Sequence, residues 1–220
     1  MKHLTSLIDL DSASILDLIS YTFNIKKNPK NYSDILKNKT MLMLFEKPSL
    51  RTRVSFEVAM TQLGGHAIFM DTKDTPLGEK ESIGDTAKTA SKYCDIIIAR
   101  LYEQNDLEEL AKNSTVPVIN GLTNTFHPCQ ILSDLFTIKE KKNKLNGLKL
   151  SFVGDGNNNI THDLLLGCSA VGIDISVACP KTLMPQKWIV DIALRKAKIS
   201  GSEIKIINNP KEAVKDYDIV

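Results

Sequence analysis

Phe45-Glu46-Lys47-Pro48-Ser49-Leu50-Arg51-Thr52-Arg53-Val54-Ser55-Phe56 is the stretch from which the rest of the chain can be read. It sets a lysine, two arginines and three hydroxyls in a short polar loop that follows an apolar, strand-like run, Thr40 to Phe45. Beyond it, Phe56, Ala59, Met60 and Leu63 recur at i, i+3, i+4 and i+7, the stripe of an amphipathic helix, and Gly64-Gly65 stops that helix. A strand, a polar turn and a helix start bring free backbone N–H groups and the positive end of the helix dipole to one spot. Guanidinium groups there add paired donors suited to a phosphate. The stretch therefore reads as an anion site, against the plainer alternative of a capped helix with surface ion pairs.

Outward from this stretch, strands and helices alternate. Upstream, Leu10 to Phe23 reads as a helix with Asp11 and Ser12 able to cap it, and Lys26 to Lys39 as a polar loop with a short helix. Downstream, strands are predicted over His66 to Asp71, Cys94 to Leu101 and Val116 to Ile119, with a loop over Thr72 to Glu79. Helices are predicted over Ser82 to Tyr93, over Asp106 to Lys112, and from Pro128 through Ile138. The charged run Lys139 to Asn146, closed by Gly147, marks a boundary between a first domain (1–142) and a second (147–220). In the second, strands over Lys149 to Val153, Asp174 to Ala178 and Glu203 to Ile207 alternate with helices over Ile160 to Val171, Lys187 to Ser200 and from Pro210. The pattern predicts α/β architecture with mainly parallel sheets flanked by helices. Tyr217 to Val220 opens a further strand, so the second domain is expected to be incomplete and the chain a fragment of something longer.

The composition narrows the function. With 42% hydrophobic and 25% charged residues the chain is ordinary globular protein, and a net charge of only +2 argues against a nucleic-acid surface. Attraction for an anion must then be local. The start, Met1-Lys2-His3-Leu4, has no signal-peptide core, and no run approaches the ~20 apolar residues of a membrane span. A soluble cytoplasmic protein without membrane or nucleic-acid partners is the expectation. Cys94, Cys129, Cys168 and Cys179 show no metal-like spacing and read as small buried hydrophobes.

Three places carry candidate chemistry, each after a predicted strand end, where open α/β sheets bind ligands. The first is Ser49 to Arg53. The second is Arg100, closing the apolar run Ile96-Ile97-Ile98-Ala99, either as a ligand-binding charge or as a solvated one. The third is His127 with Gln130, three residues apart at a helix start and so on one side of its first turn. A further turn, Gly154-Asp155-Gly156-Asn157-Asn158-Asn159, has Asn159 where a dinucleotide fingerprint carries its third glycine. Its asparagines suit a zwitterionic small molecule, or simply supply turn geometry and a helix cap.

Taken jointly, these sites resemble one family. F-E-K-P-S-L-R-T-R-V-S-F-E resembles the S-x-R-T-R signature of the aspartate/ornithine carbamoyltransferase family, and V-P-V-I-N-G-L-T-N-T-F-H-P-C-Q-I-L-S-D-L-F-T-I resembles its H-P-x-Q signature, closer to the ornithine branch. F-V-G-D-G-N-N-N is similar to the asparagine-bearing amino-acid loop of that branch. The resemblance runs over nearly the whole chain, in the family's order.

It implies two Rossmann-like domains, the first binding carbamoyl phosphate and the second ornithine. Ser49, Arg51, Thr52 and the backbone of Leu50 would hold the phosphate; Arg100, His127 and Gln130 would contact the carbamoyl group. Asn158 or Asn159 would bind ornithine, and Arg53 would pair structurally with a carboxylate such as Glu57. Leu50 stands where the family commonly has threonine, and P-S-L-R-T-R also occurs in enzymes resembling acetylornithine carbamoyltransferases. Pro76 stands about where a polar residue of the Thr75 to Lys80 loop tends to reach a neighbouring subunit's site, with Lys80 nearby. The implied reaction is carbamoyl transfer to the δ-amine of L-ornithine, giving citrulline and phosphate, without metal or organic cofactor, in a homotrimer or larger homo-oligomer with sites between subunits. Putrescine, N-acetylornithine or aspartate as amine is the near alternative. A nucleotide-binding oxidoreductase or a small-molecule-binding module built on the Gly154 turn is the alternative from another class.

Overall fold

Parallel pairing of every strand fixes the architecture, because each parallel neighbour needs a crossover and the crossovers here are helices. The computed structural model describes residues 3–72, 78 and 81–220. In chain order the elements are α1 (Ser12–Lys27), β1 (Thr40–Phe45), α2 (Leu50–Gln62), β2 (His66–Asp71), α3 (Ile83–Ala90), β3 (Ile96–Arg100), α4 (Gln104–Asn113) and β4 (Val118–Leu122). There follow α5 (Pro128–Lys142), β5 (Lys149–Val153), α6 (Asn159–Val171), β6 (Asp174–Ala178), α7 (Lys187–Ser200), β7 (Ile204–Ile207) and α8 (Pro210–Ala213). The chain forms two compact units, one of Met1–Thr5 and Phe23–Asn124, the other of Ser6–Thr22 and Thr125–Val220. The α/β class with parallel sheets flanked by helices is the one read from the sequence.

In the first unit the sheet order is β2-β1-β3-β4. The central strands β1 and β3 are sealed on both faces: Met43, Leu44, Phe45, Ile97, Ile98 and Ala99 are all buried. Leu44, Ile97 and Ala99 pack with Ala87, Leu107 and Leu110 of α3 and α4, while Met43, Phe45 and Ile98 pack with Met60 of α2. This is why these strands read as unbroken apolar runs. The edge of β4 is covered by Leu4, whose N–H donates to the Val118 carbonyl (2.9 Å) and whose carbonyl accepts from the Asn120 N–H (2.8 Å).

Several boundaries differ from the sequence reading. Strand β4 continues to Leu122 instead of ending at Ile119, because the buried Asn120 side chain donates its Nδ2–H to the Thr5 carbonyl (2.8 Å) and Gly121 lies close against Ile98. Helix α2 starts at Leu50, so Leu50 to Arg53 form its first turn and are not a loop before it. In its apolar stripe only Met60 is buried, and Ala59 is exposed. Helix α3 stops at Ala90, short of Tyr93.

The second unit holds the sheet β5-β6-β7, with Ile219 bridging to Leu150 on the far side of β5. Helix α6 is its centre, buried from Thr161 to Val171. Gly167 lets α6 approach closely: a Cβ there would stand 2.8 Å from Ile131 Cγ2. No helix among the described residues is long and apolar enough to cross a membrane.

Candidate active site

In the first unit the site is built at the C-terminal ends of β1 and β3, where Phe45 and Arg100 are in register. Ser49, with extended backbone, caps α2: its Oγ accepts the Thr52 N–H (3.3 Å) and lies 3.0 Å from the Thr52 hydroxyl. The first turn of α2 therefore presents Leu50, Arg51 and Thr52 at the positive end of the helix dipole. Leu50 is 79% exposed, consistent with a position that offers backbone and not side chain. Arg53 faces elsewhere, bonding Glu57 (Nε to Oε1, 2.9 Å) and stacking its guanidinium over the Phe69 ring at 3.8 Å. The structural pairing expected of Arg53 is therefore present.

Arg100 is half-buried and its Nε donates to the Lys47 carbonyl (3.2 Å). Burial first, and then the charge of Arg51, hold the Arg100 guanidinium below its ordinary pKa. Lys47 is lowered as well, by burial and by Arg100, against the opposing pull of Glu103 and Glu46. Lys47 is positioned by a bond from its Nζ to Asn124 Oδ1 and lies over the Tyr102 ring at 4.5 Å. Glu46 accepts the Tyr102 N–H (2.7 Å), which ties the segment after β1 to the segment after β3. Cations gathered at the C-terminal ends of β1 and β3 make a place where a dianion relieves their repulsion.

In the second unit, His127 and Gln130 lie at the start of α5, with Pro128 at its first position. The His127 imidazole makes no capping bond, while its backbone N–H donates to Asp163 Oδ2 at 2.6 Å. Gln130 Nε2 donates to Asp134 Oδ1 (2.9 Å). The asparagine turn separates its members by role. Asn158 is the N-cap of α6, its Oδ1 accepting from the N–H groups of Ile160 (2.8 Å) and Thr161 (3.0 Å) and its Nδ2 bonding the Asp155 carbonyl. Asn159 is the first helical residue. Gly156 is needed for packing, since a Cβ there would meet the Leu183 carbonyl oxygen at 2.5 Å.

No cysteine is primed as a nucleophile. Burial, with the Asp163 charge, pushes the Cys129 thiol up to about 12, and Cys168 is likewise raised to about 12, first by burial. Among the described residues no group of three or more His, Cys, Asp or Glu is placed to hold a metal ion. The Thr75 to Lys80 loop, Gly78 apart, lies outside the described residues.

Sequence reading missed two supports of these sites. Glu46 and Lys47 carry no local signal of their role, because their partners, Tyr102 and Asn124, are far away in sequence. His162 and Asp163 lie inside a helix that reads from the sequence as structural. Their signal was available: two adjacent ionisable residues at the head of the apolar run Leu164 to Val171.

With the geometry in view, residues 2–140 match the aspartate/ornithine carbamoyltransferase carbamoyl-P binding domain and residues 146–220 the Asp/Orn binding domain of the same family. The chain belongs to this family. It is 47% identical to the ornithine carbamoyltransferase of Campylobacter fetus over 100% of this chain and 72% of that protein. It is also 47% identical to the enzyme of that name from Bacillus subtilis, over 100% of this chain and 68% of that protein. Among solved structures, ornithine carbamoyltransferase from Pyrococcus furiosus superposes with a TM-score of 0.95 at 42% identity, covering 99% of this chain and 70% of that one. The oxidoreductase and binding-module readings of the Gly154 turn give way to this membership.

Proposed function

We propose that this chain is the carbamoyl-phosphate-binding and ornithine-binding part of an enzyme that transfers a carbamoyl group from carbamoyl phosphate to the δ-amine of L-ornithine, releasing L-citrulline and phosphate. Support for ornithine over aspartate, putrescine or N-acetylornithine comes from the names of the relatives at 46–47% identity. The observation that carries the phosphate half is the Ser49-capped first turn of α2, bearing Arg51 and Thr52, at the sheet end where Phe45 and Arg100 are in register. In the proposed assignment, segment 1–142 is the carbamoyl-phosphate domain and 147–220 the amino-acid domain.

Ser49, Thr52, Arg51 and the backbone of Leu50 hold the phosphate, and Arg100, His127 and Gln130 contact the carbamoyl group. Attack of the neutral amine on the carbonyl carbon forms the new C–N bond and develops negative charge on the carbonyl oxygen. Arg100 and His127 donate to that oxygen, at a value of ~2.7–4 kcal/mol per donor in comparable sites. Arg51 and the helix start accept the charge that grows on the departing phosphate. No covalent enzyme intermediate is required. The amine must lose its proton first, so the rate rises with pH until that titration is complete. Asn159 is the better ornithine ligand, because the side chain of Asn158 is committed to capping α6 on both its oxygen and its nitrogen. The working form is a cytoplasmic homotrimer or larger assembly.

Carbamoyl phosphate supplied with each of the four amines in turn to the full-length protein, with carbamoylated product measured, tests the reading. Product with ornithine is expected. Product with putrescine alone would move the assignment to a sister activity, and none with any amine would end it.

A further inference from the structure

Helix α6 buries an adjacent histidine and aspartate where every later residue through Val171 is apolar or small. His162 is 1% exposed and Asp163 0%. Burying two ionisable groups is costly, and well-packed apolar residues would serve stability as well or better. Their contacts show a common target. His162 Nδ1 lies 3.0 Å from the Thr125 carbonyl, and Asp163 Oδ2 accepts the His127 N–H at 2.6 Å. Between these two grips, Phe126 is buried edge-on against the His162 ring (centroids 6.4 Å apart) and the Trp188 ring (6.0 Å). The other oxygen of Asp163 accepts the Leu7 N–H (3.4 Å).

A carbonyl only accepts, so Nδ1 of His162 must carry the hydrogen and Nε2 the lone pair. Nε2 is buried with no hydrogen-bond partner among the described residues, and burial holds the imidazole pKa below its ordinary value. A second proton would create an unpaired buried donor, which fixes a single neutral tautomer. The same helical turn begins at Asn158, whose carbonyl accepts the His162 N–H (3.0 Å). One turn of helix thus joins the asparagine turn to the backbone that carries His127.

We propose that His162 and Asp163 are positioning residues that clamp the peptide Thr125–His127 and so set the place of the His127 imidazole relative to the asparagine turn. This rests on the role given to His127 above. A misplacement of a reacting group by an ångström costs up to about a hundredfold in rate. In the full-length protein, His162→Leu is expected to lower kcat by about tenfold to a hundredfold. His162→Asn, which keeps an N–H donor near the Nδ1 position, should restore it to within about threefold of wild type. Inhibition by inorganic phosphate, which reads the Ser49 to Thr52 turn, should be unchanged in both.

The decisive measurement is a double-mutant cycle with His127→Ala. If the clamp acts through His127, His162→Leu costs nothing further once the imidazole is gone. An equal fold-loss in both backgrounds overturns the proposal and leaves His162 a structural residue. Wild-type rates in His127→Ala alone would instead remove the role of His127, and the clamp's purpose with it. Should His162→Leu fail to fold, Asp163→Asn serves in the same cycle, since its single acceptor oxygen leaves one of the two N–H groups unmatched at unchanged size.

Discussion

In the first unit, the residues proposed to hold phosphate lie on a helix with a single buried side chain, Met60, and are ordered by bonds to neighbours three residues away, Ser49 to Thr52. In the second, the backbone that carries His127, proposed to meet the carbamoyl group, is held by a helix buried from Thr161 to Val171, through bonds spanning 36 and 37 residues of chain, and Asn159, proposed to meet the amino acid, opens that same helix. The first is local order exposed to solvent; the second is long-range order inside a core. Local order can be abolished chemically while the fold stays intact. Core order cannot be altered without stability responding, so activity should change without stability at Arg51, whereas the two should move together at the buried residues of α6.

The largest effect tests the separation. Arg51→Ala should cut kcat/KM by about a hundredfold to a thousandfold, the scale of one transition-state donor, while the thermal midpoint stays within a degree. A parallel loss of midpoint would erase the contrast. Next in size is a pH effect confined to the second unit. Burial raises the Asp163 carboxyl to about 7, against the pull of the His127 and Leu7 N–H groups. The native state then keeps a proton that the unfolded chain loses above its ordinary value, so this contribution is full below about pH 4 and is lost as pH rises through about 7. The midpoint of wild type relative to Asp163→Asn, followed by calorimetry, should therefore fall by several degrees between pH 5 and pH 8; a difference that is flat or rising with pH would contradict the assignment.

Gly156→Ala should cost about 1–3 kcal/mol by denaturant titration, because the new methyl meets a backbone carbonyl and not a movable side-chain tip. Ser49→Ala should cost about 1 kcal/mol as a lost helix cap, with a rise in KM for carbamoyl phosphate that Gly156→Ala does not share. Smallest is Glu57→Ala. Its ion pair with Arg53 is roughly two-fifths exposed on both sides, and about 0.5 kcal/mol or less is expected, with unaltered turnover.

The same contrast explains what the sequence disclosed. Strands β1, β2, β5 and β6 and helix α7 begin and end where the residue pattern puts them, since their limits are set by apolar runs meeting polar or glycine neighbours. The phosphate turn was readable for the same reason: cap, arginines and hydroxyls are consecutive. Helix α2 begins earlier than its apolar stripe because Ser49 caps it there, and the stripe seats the helix through Met60 and half-buried Phe56 while Ala59 stays exposed. Strand β4 reads as ending at Ile119 because Asn120 and Gly121 look like a turn until the Thr5 carbonyl and the flank of Ile98 stand beside them. The clamp on His127 was invisible for a related reason. His162 and Asp163 act on residues some three dozen positions earlier, and no local periodicity encodes such a distance.

The chain passes from one compact unit to the other at residues 5–6, 22–23 and 124–125. On the ribosome, where domains form as the chain emerges, this imposes an order. The stretch from Ser6 to Thr22, including Leu7 and most of α1, leaves the exit tunnel more than a hundred residues ahead of α5 and α6, against which Leu7 is buried. It must wait, its apolar side chains uncovered, while the whole of the first sheet is made and closed.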